Sequence, residues 1–118
     1  MFKKISLLAV IFAMIGNVCF AANWIWLASN DEISIYFDGN TCEISDGSLK
    51  FWEKDKSLSN RYLVSYKEYR NHTIHTYECI FYDSNGAVIK HEKNHESARV
   101  IPGSQGEKFI RTIASYCK

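Results

Sequence analysis

The chain is predicted to be an α+β domain, an antiparallel meander of about six strands packed by one C-terminal helix. Turn residues recur at short intervals through the first two thirds beyond position 22, and the segments between them alternate in polarity or are rich in β-branched and aromatic residues. From Ser104 onward the apolar period becomes helical. With 118 residues, 47% hydrophobic and 14% aromatic, the chain is too apolar for disorder and long enough for one modest core.

Residues 1–21 read as an export leader. Lys3 and Lys4 precede the uncharged apolar run Ile5–Ile15, and Cys19-Phe20-Ala21 places small residues where a signal peptidase cutting before Ala22 requires them. The mature domain, 22–118, then has 97 residues and a formal charge of −1 in place of +1. Near-neutral charge argues against a nucleic-acid binder, which concentrates Lys and Arg on one face.

Asn23–Ala28 sets Trp24 and Trp26 on one side and Ile25 and Leu27 on the other. Ser29-Asn30-Asp31 is a hairpin connection into Ile33–Asp38, where Ile33, Ile35 and Phe37 alternate with Ser34, Tyr36 and Asp38. Thr41–Ile44 is a short extension, and Asp46-Gly47 is a tight-turn signal before Leu49–Lys54. Polar Asp55–Asn60 reads as a loop. Tyr62–Tyr69 and Thr73–Tyr82 follow as strands around the turn Arg70-Asn71-His72, and Asp83-Ser84-Asn85-Gly86 leads to a last short strand, Ala87–Lys90. Ser104 and Glu107 form a capping box; Phe109, Ile110, Ile113, Ala114 and Cys117 share the helix's apolar face, and Glu107 can pair with Arg111.

Export permits disulfides, and removal of Cys19 with the leader leaves Cys42, Cys79 and Cys117, an odd count. None belongs to a C-x-x-C pair, so zinc-knuckle and thioredoxin chemistry lack support.

The order Trp24-Ile25-Trp26 after a leader, Tyr36-Phe37-Asp38, Lys50-Phe51-Trp52, Tyr82 to Ile89, and Pro102-Gly103-Ser104 before a helix ending Cys117-Lys118 resembles the bacterial surface-adhesin protein E family. The resemblance implies a small exported domain without enzymatic activity or cofactor, on the cell surface or in the periplasm, attached to host extracellular-matrix or plasma proteins. In that family a Cys near the end of the fourth strand bonds the Cys of the final helix. Here the corresponding stretch is Glu68-Tyr69-Arg70-Asn71, and Cys79 lies on the next strand. The pairing implied first is therefore Cys79 with Cys117, with Cys42 unpaired or open to an intermolecular bridge. Cys42 with Cys117 or Cys79, or no bridge, are the alternatives.

Lys50, Lys54, Lys56, Arg61, Lys67 and Arg70 interleave with Phe51, Trp52, Tyr62, Tyr66 and Tyr69, giving a local excess of positive charge. These six basic residues are the candidate partner-binding set, the competing explanation being a solvated strand face with its aromatics in the core. His91-Glu92-Lys93-Asn94-His95 fits H-E-x-x-H, which binds zinc when a helix stacks both His on one face. Without an apolar helical stripe around it the run reads as a solvated loop, so His91 and His95 are weak metal candidates and a zinc hydrolase an outside alternative. A periplasmic structural or inhibitor-like module is another alternative. Exposed strand edges and the odd Cys allow a homodimer.

Overall fold

The computed structural model describes residues 22–117, and of residues 94 and 95 the backbone alone. The leader expected over residues 1–21 lies outside them. Seven strands and a helix follow in chain order: β1 (Trp24–Ser29), β2 (Ile33–Asp38), β3 (Glu43–Ser45), β4 (Ser48–Ser57), β5 (Tyr62–Arg70), β6 (Thr73–Tyr82), β7 (Val88–Arg99) and α1 (Gln105–Tyr116). Six strands make one antiparallel path, β1-β2-β4-β5-β6-β7, and β3 pairs with β4 beside it. The long β4 explains this arrangement. Its second half, Glu53–Ser57, takes β2 as partner, whereas Ser48–Lys50 takes β3.

Turn chemistry sets these registers. Asp46 and Gly47 both have positive φ, 51° and 77°, in the two-residue connection that pairs Ser45 with Ser48. Asn71 and His72, at 52° and 63°, do the same between Arg70 and Thr73. Such mirror-image turns match the twist of the strands they join.

Two segments are more extended than the sequence predicts. Asp55–Ser57 continues β4 because Ile33–Ile35 and Tyr62–Leu63 supply ladder partners on its two sides. β7 continues past Lys90 to Arg99, carried by pairing with β6 across two register shifts. His91 to His95 is therefore strand, not the expected loop.

The helix covers one sheet face. Phe37, Leu49 and Phe51 form the buried core with Ile110, Ile113 and Cys117, surrounded by the partly buried Ile25, Leu27, Tyr69 and Ile74. Full burial of side chains such as Phe37 and Phe51 stabilises by about 1.5–3 kcal/mol each. Ser104 Oγ accepts from the Glu107 amide at 3.3 Å, and Glu107 Oε1 in turn accepts from the Gly103 amide at 2.9 Å. Arg111 stands 3.7 Å from Glu107, the expected i,i+4 pair.

The disulfide differs from the expected pairing. Cys42, in the turn between β2 and β3, is bonded to Cys117 with Cα atoms 5.6 Å apart. The pairing of Cys79 with Cys117 is thus incorrect, as is an unpaired or intermolecular Cys42. Cys79 points from β6 into the sheet interior, buried, with its Sγ 3.9 Å from Ser65 Oγ. The helix terminus lies over the β2–β3 turn, so Cys42 is the cysteine that Cys117 meets.

Candidate functional site

The pleat divides β4 between two surfaces. Leu49 and Phe51 face the helix, so Lys50, Trp52, Lys54 and Lys56 face the other way. Cross-strand registry of Trp52 with Tyr66 and of Lys56 with Tyr62 puts the even-numbered side chains of β5 on that same open surface. A groove of about 340 Å³ opens there, bounded by Trp24, Trp52, Lys54, Tyr62, Val64, Ile80 and Tyr82, with Ala22 and Asp38 at one end.

Lys54 is the centre of this groove. Its Nζ lies 5.0 Å from the ring centroid of Tyr62, 5.3 Å from that of Trp24 and 5.7 Å from that of Tyr36. Each such contact contributes about 0.5–1 kcal/mol, more where water is excluded. Burial among the rings, and then repulsion from Lys56, hold the Lys54 ammonium below its ordinary pKa. Among the described residues its close contacts are the rings, and the ion pairs of the fold lie elsewhere.

Further rings extend the surface. Tyr62 and Tyr82 stack at 4.6 Å, and Trp52, Tyr66, Tyr77 and His75 succeed one another at 5.0, 6.1 and 4.4 Å. Tyr77 donates its hydroxyl to Glu68 at 2.7 Å, which keeps the Glu68 carboxyl below the usual range. Asp38 at the groove's end has a structural task. Its Oδ1 accepts from the amides of Asn23 and Asn40 at 2.9 and 3.0 Å, and its Oδ2 accepts from Thr41 Oγ1 at 2.6 Å.

The six basic residues predicted as one set are divided by the fold. Lys50, Lys54 and Lys56 share the open face, and Arg70 ends the same row of β5, 3.6 Å from Glu68. Arg61 stands in the connection before β5. Lys67 has the opposite parity and leaves the set: it lies on the helix-side face, paired with Glu53 at 3.2 Å. Trp24, Tyr36, Ile80 and Tyr82 were outside the predicted set, because they come from strands whose adjacency to β4 and β5 is a matter of tertiary pairing.

Near Lys67 the helix-side face turns polar. Burial, and then the neighbouring Glu53 carboxyl, push Asp55 up to about 8, with Lys67 pulling the other way. Asp55 Oδ1 is buried without a hydrogen-bond partner among the described residues.

The histidine motif does not form the geometry that zinc hydrolases use. Four residues of strand advance by about 13 Å, whereas the motif needs one helical turn between its histidines. His91 Nε2 is instead 2.6 Å from Glu78 Oε2, and Glu92 lies 3.3 Å from Lys90; the His95 side chain is outside the described set. Among the described residues no three His, Cys, Asp or Glu side chains converge as a metal site, and no helix is long and apolar enough to cross a membrane.

No family model, characterised protein or solved structure matches the chain.

Proposed function

We propose that this chain is an exported, non-enzymatic bacterial binding protein of the surface-adhesin type, contacting host extracellular-matrix or plasma proteins through the open face of its sheet. The observation that carries this proposal is Lys54 seated among Trp24, Tyr36 and Tyr62 on the face that the helix leaves uncovered. Aromatic anchors are what protein interfaces concentrate at their cores. Lys56 beside it adds positive charge suited to an acidic partner surface, whereas Lys50 stands opposite Glu68. The leader over residues 1–21 and the resemblance to the protein E family supply the direction of export and the class of partner.

The two sheet edges differ in their fitness for self-association: β7 carries Lys90, Glu92, Lys93, Glu96 and Arg99, charges that oppose pairing with a second copy, whereas β1 carries none.

Two measurements test the proposal together. Antibody or protease added to intact cells reaches an adhesin and spares a periplasmic module. Immobilised matrix and plasma proteins should retain the mature chain in a salt-dependent way. Inaccessibility on intact cells, or no retention by any protein of the panel, would overturn the proposal.

A further inference from the structure

Lys54 is a cation whose surroundings ask for an anion. Rings surround it, burial and Lys56 both disfavour its charge, and among the described residues no carboxylate forms an ion pair with it. A ligand carboxylate placed on Nζ would form a charge-assisted hydrogen bond in a partly desolvated setting, where such bonds are strongest.

The rings narrow the choice of anion. The indole N–H groups of Trp24 and Trp52 and the hydroxyls of Tyr62 and Tyr82 meet no protein acceptor among the described residues. The groove therefore offers flat apolar ring faces beside one ammonium, on side chains whose polar atoms the protein leaves to other partners. At about 340 Å³ it falls in the range of small-molecule sites and is too small to seat a helix. A pyranose ring bearing a carboxylate matches all of these features: axial C–H groups on an aromatic face, hydroxyls for the edge donors and an anion for the lysine. An acidic peptide side chain would use the lysine but brings neither the C–H ring face nor the several hydroxyls that a sugar presents to the aromatic walls.

We propose that this groove binds an acidic sugar residue of a glycan chain, its ring face on the aromatic walls and its carboxylate on Lys54. The proposal rests on the open sheet face being the binding surface and specifies what that surface recognises on a matrix component. Ala22 lines the groove as well. Cleavage of the leader before Ala22 would set an α-ammonium at that end, beside the Asp38 carboxylate that lines the groove there.

The test uses the mature chain with its disulfide intact and a hexasaccharide of alternating uronic acid and N-acetylhexosamine. Trp24 and Trp52 make tryptophan fluorescence a direct reporter. Titration should give a saturable change, weakened at least tenfold when the sugar carboxylates are reduced to alcohols. Lys54→Met should weaken binding similarly, and Lys54→Arg should retain most of it. No saturation by millimolar hexasaccharide, or equal binding of the carboxyl-reduced sugar, would overturn the proposal, as would a polyglutamate peptide that binds the groove as tightly. The carboxyl-reduction arm needs no mutant, so it stands if Lys54→Met does not fold. Retention by matrix proteins stripped of their glycans, without hexasaccharide binding, overturns the sugar assignment and leaves the surface-binding proposal standing. Hexasaccharide binding without retention by any matrix protein does the reverse.

Discussion

Cys42 and Cys117 are bonded across 75 positions of sequence, fastening the end of the helix to the turn between β2 and β3. The bridge stands beside Phe37, Leu49 and Phe51, so it closes the core at the point where the helix ends. A loop of this length restricts the unfolded chain by about 4 kcal/mol in the chain-entropy account. Replacing both residues by Ser should lower unfolding free energy by about 3–4 kcal/mol in denaturant titrations. Replacing Cys79 should leave the non-reduced peptide map unchanged, with residues 42 and 117 still joined.

His72 occupies the second position of the β5–β6 turn with φ of 63°. Left-handed backbone at a non-glycine residue costs about 1 kcal/mol. His72→Gly removes that strain but loses the weak 3.4 Å contact to the Tyr69 hydroxyl and adds chain entropy to the unfolded state. The net expectation is a gain of about 0.5 kcal/mol, read as a rise in melting temperature.

Asp55 should contribute stability that falls with rising pH. Its carboxyl is pushed up to about 8 in the fold, chiefly by burial, so between its unfolded value near 4 and pH 8 the native state binds more protons than the unfolded one. The contribution is most favourable below pH 4, declines through that interval and is constant above it. Asp55→Asn cannot ionise. It should flatten the decline and be more stable than the unsubstituted chain at pH 9 by about 1–2 kcal/mol, a figure discounted for partial exposure. Parallel pH profiles of the two proteins would refute this.

Much of the fold was legible because alternation and turn chemistry agree locally. Ile33–Asp38 and Thr73–Tyr82 have the bounds the sequence predicts, since Asn30-Asp31, Gly39-Asn40, Asn71-His72 and Asp83-Ser84 punctuate them. His91–Arg99 was not legible as strand. It is an edge strand with both faces largely exposed, so ladder hydrogen bonds to β6 hold it and no apolar alternation marks it. The candidate face was legible in half. Lys54, Trp52 and Tyr62 stand out in the Lys50–Arg70 stretch, but strand parity sends Lys67 to the far side beside Glu53. Trp24, Tyr36 and Tyr82 join Lys54 only once β1, β2 and β6 take their places in the sheet. The Cys42–Cys117 bond depends likewise on where the helix end comes to rest, and the spacing of three cysteines carries no such information.

The most direct test of the open face is a comparison of two charge reversals. Lys54 lies among the rings of that face, whereas Lys108 is exposed on the helix, on the other side of the sheet. Retention of residues 22–118 on immobilised matrix protein should fall at least tenfold for Lys54→Glu, about 1.4 kcal/mol or more, and should be unchanged for Lys108→Glu. Circular dichroism should show both variants folded. A folded Lys54→Glu variant that binds as tightly as the unsubstituted chain would contradict the account.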